Sequence, residues 1–266
     1  MRQPATILAS SLAVVAVLSQ ANIAQGGVFY GVDFDARAFL TIDTSDATTA
    51  IIATSSVQYT GLAFNKNSGV LYARSLSDLY TINPVTGVPS LVGGNGVADT
   101  LTALAYNNDY STLYSLSWGP DPGTTLYTID ESNGNATAIG SNSPQFLGSL
   151  AINSLNQAFV VSHAGGDLYS MDLSDASLTF IATLDDAITA MAFDENDELF
   201  GVTLFPDTLV KINTSTGGFT TIGGIPFVDI NGMAPALATV PEPSSFALLG
   251  LGALGLIAYR RKRRAA

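Results

Sequence analysis

Between residues 27 and 240 apolar and polar side chains alternate in short runs, and no stretch sustains an apolar repeat of 3.6 residues. That pattern predicts strands and almost no helix. The runs also return at a fixed distance. A small-large-Ala-large element reads Gly61-Leu62-Ala63-Phe64, Ala103-Leu104-Ala105-Tyr106, Ser149-Leu150-Ala151-Ile152 and Ala190-Met191-Ala192-Phe193, advancing by 42, 46 and 41 residues. A second element reads Leu40-Thr41-Ile42-Asp43, Leu79-Tyr80-Thr81-Ile82-Asn83, Leu126-Tyr127-Thr128-Ile129-Asp130, Leu168-Tyr169-Ser170-Met171-Asp172 and Leu209-Val210-Lys211-Ile212-Asn213, advancing by 40, 47, 42 and 41. Between the two elements lie Val70-Leu71-Tyr72 and its counterparts, and a closing strand follows the second. Four short strands in about 42 residues is the length of one propeller blade.

Each third strand runs into an Asx-led turn: Asp43 to Ala47, Asn83 to Gly87, Asp130 to Gly134, Asp172 to Ala176 and Asn213 to Gly217. Asx at the start favours a type I turn, and a Gly at the end supplies the left-handed residue of a bulged hairpin. The first repeat starts at its second strand, near Val28 to Phe34, and lacks a small-large-Ala strand. After the fifth repeat an unattached fragment, Asn231-Gly232-Met233-Ala234-Pro235, carries that missing pattern 42 residues beyond Phe193. A ring uses such a fragment to complete its first blade, and closure removes the exposed strand edges. The expected fold is therefore all-β: a five-bladed propeller over residues 27–239, closed by a C-terminal strand. An open solenoid or a sandwich leaves both the period and the fragment unexplained. In the ring, the recurrent Ala63, Ala105, Ala151, Ala192 and Ala234 let neighbouring blades approach, and Leu62, Leu104, Leu150, Met191 and Met233 fill the space between them.

The two ends read differently. Arg2, an apolar stretch of twelve from Ile7 to Leu18, and then small residues make residues 1–26 a secretory signal peptide, cut by signal peptidase between Ala21 and Gly26. At the other end, residues 240–266 place Pro241-Glu242-Pro243 before an unbroken apolar run from Phe246 to Tyr259. The basic cluster Arg260, Arg261, Lys262, Arg263 and Arg264 follows. The prolines keep a helix from starting before Ser244 or Ser245. Fourteen residues rise about 21 Å, short of a bilayer core of about 30 Å, and snorkelling by Tyr259 and the arginines extends the span. The basic cluster marks the cytoplasmic side, which leaves the middle of the chain outside.

This tail resembles the PEP-CTERM sorting signal of Gram-negative bacteria, with motif, Gly/Ala/Leu-rich helix and basic end in order over Val240 to Arg264. The resemblance implies recognition by the membrane protease-transpeptidase exosortase, with Pro241, Glu242 and Pro243 as the recognised substrate. It also implies passage through the inner membrane to the cell surface or an exopolysaccharide matrix. The alternative is a permanent tail anchor. The repeat array is similar to the Leu-Tyr-x-Ile-Asp propeller repeats of exported bacterial proteins, and that likeness names architecture only.

Charge narrows the partners. Residues 27–240 hold four basic side chains against 21 acids, a net −17, so nucleic acid is not an expected partner. With no Cys and one His, thiolate chemistry and zinc clusters are out, and no P-loop or Gly-x-Ser-x-Gly elbow is present. An Asp recurs in each two-to-three loop (Asp35, Asp78, Asp121, Asp167, Asp207), and the blade-to-blade loops add Asp99, Asp185, Asp186 and Asp229. A carboxylate ring there is a candidate site for Ca²⁺, an amine or a cationic polymer. The plainer reading is that each Asp pins its own turn. Asp194 to Glu198 lacks the Gly and distal Glu of a calcium loop and reads as a solvated turn. His163, on the possible ligand face, is a candidate general base, but with no second His and no nucleophile beside it reads as a surface loop residue. Trp118, the only Trp, is the candidate sugar-stacking residue, with Tyr59 or Phe205 as companion. The expectation is a non-catalytic surface or matrix protein without a resident cofactor, binding exopolysaccharide or other matrix proteins. The alternative is a secreted hydrolase acting on polysaccharide.

Overall fold

The computed structural model describes residues 27–236 apart from 119–122, 143–145, 164, 205 and 228. The expected signal peptide and sorting tail, with their two helices, lie outside the described residues, as does Asp121. Short alternating runs between Asx- and Gly-rich turns give strands throughout. Those of the first repeat are β1 (Val28–Asp33), β2 (Ala38–Asp43) and β3 (Thr49–Thr54). The second contains β4 (Gly61–Asn65), β5 (Val70–Arg74), β6 (Asp78–Ile82) and β7 (Pro89–Gly94). The third contains β8 (Thr100–Tyr106), β9 (Leu113–Trp118), β10 (Thr124–Ile129) and β11 (Ala136–Asn142). The fourth contains β12 (Leu147–Ile152), β13 (Ala158–Ser162), β14 (Asp167–Met171) and β15 (Leu178–Thr183). The fifth contains β16 (Ile188–Phe193), β17 (Leu199–Thr203), β18 (Thr208–Ile212) and β19 (Phe219–Gly224), and β20 (Ile230–Pro235) ends the array. Among the described residues there is no helix long and apolar enough to cross a membrane.

These strands make five four-stranded antiparallel meanders, and β20 joins the first in the order β20-β1-β2-β3. Its register sets Ala234 opposite Tyr30 and Met233 opposite Gly31, so the fragment near Met233 completes blade one as the spacing requires. The inner strands touch in the cycle β4, β8, β12, β16, β20 and back to β4. The molecule is a closed five-bladed propeller.

The core is divided among the five seams between blades. Ala63 packs with Leu104 and Tyr106 at the seam of blades two and three, Ala151 with Met191 and Phe193 at that of four and five, and Ala234 with Leu62 and Phe64 at that of one and two. In every case the alanine faces the next blade, and the large side chains one residue away on either side face the previous one, as alternation along a strand requires. Antiparallel meanders also sort the connections. The one-to-two loops and three-to-four turns share one face, here the lower. The two-to-three and blade-to-blade loops share the upper.

All five Asx turns form alike. The second residue after the Asx donates its N–H to the Asx Oδ1 at 2.8–2.9 Å, as Ser45 does to Asp43 and Val85 to Asn83. The fifth residue closes the turn with positive φ: Ala47 at 61°, Gly87 at 70°, Gly134 at 83°, Ala176 at 64° and Gly217 at 72°. Two blades thus hold Ala in a conformation that favours Gly.

Candidate functional site

Among the described residues, concave or reactive surface lies on both faces. On the lower face the channel opens into a cavity of about 150 Å³. Its floor is the ring of Leu62, Leu104, Leu150, Met191 and Met233, and Asn108, Ser154 and Asp194 stand at its rim. The one-to-two loops are tied in series around it. Asn67 Nδ2 donates to Asp109 O (2.7 Å), Asn108 Nδ2 to Ser154 O (3.2 Å) and Ser154 N to Asp197 Oδ1 (2.9 Å). Asp194 to Glu198 is accordingly a turn, with Asp194 Oδ1 accepting from Asn196 N and Glu198 N. Blade one has no such loop, because the described chain enters there at Gly27 and leaves at Ala236, whose N–H donates to Val28 O at 2.8 Å. Neighbouring inner strands approach closely at the waist: a Cβ on Gly61 would lie 2.7 Å from the carbonyl carbon of Ala103, and one on Gly232 would lie 2.8 Å from the backbone of Gly61. The axial space narrows there to about 10 Å³.

The upper face holds the sequence-predicted residues, and they separate into three groups. Asp78, Asp167, Asp99 and Asp186 are engaged locally. Asp78 accepts from Ser77 Oγ (2.7 Å), Asp167 from Thr183 Oγ1 (2.6 Å), Asp99 from the Tyr127 hydroxyl (2.6 Å) and Asp186 from Ala187 N (2.8 Å).

Aromatic side chains form the second group, at the seam of blades three and four. Trp118 meets Phe146 edge-on at 4.2 Å between ring centroids and His163 at 4.9 Å, with Phe146 and His163 6.0 Å apart. The His163 N–H donates to Phe146 O at 2.7 Å, which ties the two loops. Burial holds the imidazole below its usual value, so it is neutral at pH 7. Trp118 remains 37% exposed at the end of β9. Tyr59 is elsewhere: it is buried against Tyr80 between blades one and two, and Phe205 lies outside the described residues.

The third group lies where blade five meets blade one. Asp33 ends β1, Asp35 follows in the loop, Asp207 precedes β18 and Asp229 precedes β20. Asp33 is fully buried and accepts from the N–H groups of Ala36 and Asp229. Its place in the blade is held elsewhere by Ser75, Ser117, Ser162 and Thr203, each of which accepts a backbone N–H from the same loop through a hydroxyl. Sequence reasoning missed Asp33 because it reads as a strand residue. Aligning the blades would have exposed it as the one carboxylate among hydroxyls. Asp207 is 9% exposed, and its Oδ1 is buried without a hydrogen-bond partner. Burial, and then the charge of Asp33, push the Asp207 carboxyl up to about 6. Asp229 rises to about 6 as well, by burial and then by the charges of Asp35, Asp33 and Asp207.

A carboxyl with a raised folded pKa binds its proton more tightly folded than unfolded. Its contribution is full below about pH 4 and is lost as pH climbs through about 6. For this coupled pair, discounted for the partial exposure of Asp229, that is roughly 2–3 kcal/mol. Urea unfolding at pH 4.5 and 7.5 should show Asp207→Asn gaining stability relative to the parent at the higher pH only. Equal differences at both pH values would mean that Asp207 carries no excess proton in the fold.

Comparison with known proteins places the sorting signal and the fold. Residues 239–264 match the PEP-CTERM protein-sorting motif. No curated protein matches the chain in sequence. A chain in the crystal structure of a nidogen/laminin complex superposes with a TM-score of 0.58 at 11% identity, over 80% of this chain and 82% of that one. At that identity the likeness is one of fold alone. The motif implies a protein sorted by exosortase, exported across the membrane of a Gram-negative bacterium and displayed at its surface, with a propeller ahead of the tail.

Proposed function

We propose that this propeller binds polysaccharide of the extracellular matrix through its upper face, without catalysis, while its tail directs it to the cell surface. The observation that carries this reading is the half-exposed Trp118, flanked by Phe146 and His163 on the face opposite the chain ends. Sugar rings present C–H-rich faces that stack on aromatic planes, and a neutral imidazole beside them adds a hydrogen-bonding edge. The tail supports the choice of face. Ala236 leaves blade one from the lower face, and the five residues from there to Pro241 reach at most about 18 Å. The last described residue is thus on the lower face, and the upper face is the one opposite it.

One feature favours the competing hydrolase reading: burial and neighbouring carboxylates push Asp207 and Asp229 up to about 6, and glycoside cleavage uses a carboxylic acid whose pKa is raised. A single experiment separates the two. Incubated with the producer's own matrix polysaccharide, the protein is expected to sediment with it and to release no reducing ends. Trp118→Ala should bind about tenfold more weakly, near 1.4 kcal/mol, with an unchanged melting curve. Reducing ends lost on Asp207→Asn substitution would establish the hydrolase instead.

A further inference from the structure

We infer that the lower-face cavity is a binding site for a zwitterion with a compact apolar group, the chemistry of a free apolar α-amino acid. Its carboxylate meets Lys66, its ammonium meets Glu195, and the apolar group fills the cavity. The site goes beyond the polysaccharide reading, which concerns the opposite face.

The cavity supplies the apolar half. Leu62, Leu104, Leu150, Met191 and Met233 floor it, one from each blade, and about 150 Å³ lies in front of them. At the waist the axial space shrinks to about 10 Å³, room for about one water, so a ligand enters from the lower face and stops there. An apolar cavity of about 150 Å³ takes a benzene-sized group of about six heavy atoms. Two methionines let the floor adjust to the shape of that group.

The rim supplies the charged half. Four charged side chains line the cavity: Lys66, Asp194, Glu195 and Asp197. Two are spent inside their loops. Asp194 Oδ1 accepts from Asn196 N and Glu198 N and its Oδ2 from Asn196 Nδ2, while Asp197 accepts from Ser154 N and from the Ser154 hydroxyl. Lys66 and Glu195 are exposed and enter no ion pair; among the described residues the ion pair present is Lys211 with Glu198. The two hold the same place in their loops, after Asn65 in blade two and after Asp194 in blade five. Blade one lies between those blades and has no such loop among the described residues, so a cation and an anion flank that side of the rim.

Lys66 stands out in so acidic a chain. Of the four basic residues between 27 and 240, Arg74 is buried, Lys211 is paired and Arg37 sits in an upper-face loop, which leaves Lys66 at the cavity. A ligand with only an anionic group is opposed by the net −17 of residues 27–240, and one with only a cation leaves Lys66 without a partner. A zwitterion carries no net charge and gives each side chain a charge-assisted hydrogen bond.

The test is calorimetry on the full chain held in phosphatidylcholine nanodiscs, so that no detergent tail competes for the cavity. The probes are phenylalanine, phenethylamine (ammonium and ring), hydrocinnamate (carboxylate and ring) and glycine (both charges without the ring). Phenylalanine should bind at least about tenfold more tightly than each of the other three. Lys66→Gln should lower phenylalanine to the affinity of phenethylamine, and Glu195→Gln should lower it to that of hydrocinnamate. Both positions are exposed, so the melting curves should not move. Trp118→Ala, on the opposite face, should leave phenylalanine binding unchanged. No binding of phenylalanine, equal binding of any partial probe, or a preference that survives both neutralised variants would overturn the site. Loss on Trp118→Ala would place the binding on the upper face and overturn it as well. None of these outcomes bears on sedimentation with the matrix polysaccharide, so the two readings fail separately.

Discussion

A chain that stops after Phe227 should fail to fold, whereas one that stops after Ala236 should melt like the full-length protein. Loss of β20 removes Ile230, Met233 and Ala234 from the seam cores, all of them buried. It also removes a ladder with β1 from Phe29 to Asp33 and the bond from Phe34 N to Asp229 O. Two large apolar side chains at about 1.5–3 kcal/mol each, with the ladder added, come to roughly 5–8 kcal/mol. That is comparable to the whole stability of a typical domain, about 5–15 kcal/mol. The shortened chain also bares β1, in a ring that otherwise has no inner edge, so aggregation is the expected end point. Circular dichroism and size-exclusion chromatography decide it. A monomeric, cooperatively melting protein ending at Phe227 would show that closure by β20 is dispensable.

Closure was legible because it is written twice in one dimension, as a spacing of about 42 residues and as a strand without a blade. The turns were legible for the same reason: Asp43, Asn83, Asp130, Asp172 and Asn213 act through neighbours two to four residues away. The sites depend on pairs distant in the chain. Trp118 stands out as the only Trp, but its companions Phe146 and His163 come from other loops. Tyr59, equally aromatic, is drawn into the core against Tyr80. The recurrent loop aspartates are alike in sequence, yet Asp78 and Asp167 are spent on their own hairpins while Asp207 and Asp229 meet across a seam. Arg74 shows the limit of residue-type reasoning. It is fully buried where the other blades carry Val32, Leu116, Val161 and Val202, and its Nη2 donates to the Gly134 carbonyl at 3.5 Å, a long-range contact that residue type alone does not announce.

The three-to-four turns carry a second pattern that only the assembled ring reveals, and it makes the other large prediction. Each turn's fifth residue abuts the outermost strand of the preceding blade, and no seam carries two alanines at that contact. Ala47 faces Gly223 and Ala176 faces Gly140, Gly87 faces Ala53 and Gly217 faces Ala182, and Gly134 faces Gly93. A Cβ on Gly87 would come within 2.3 Å of the Ala53 Cβ, and the same addition to Gly217 would come within 2.5 Å of that of Ala182. Gly87→Ala therefore incurs both a left-handed backbone, costing about 1 kcal/mol, and an overpacked seam costing about 1–3 kcal/mol. The expected loss is about 2–4 kcal/mol. Ala53→Gly alone should cost under about 1 kcal/mol, as Gly in a strand does. The two together reproduce the Ala-Gly arrangement already present at Ala47 with Gly223, so the double variant should be more stable than Gly87→Ala alone, with a coupling of at least about 1 kcal/mol. Urea unfolding of the four proteins measures that coupling. Strict additivity would mean that the turns and outer strands do not press on one another, and that the distribution of Gly and Ala around the ring reflects backbone preference alone.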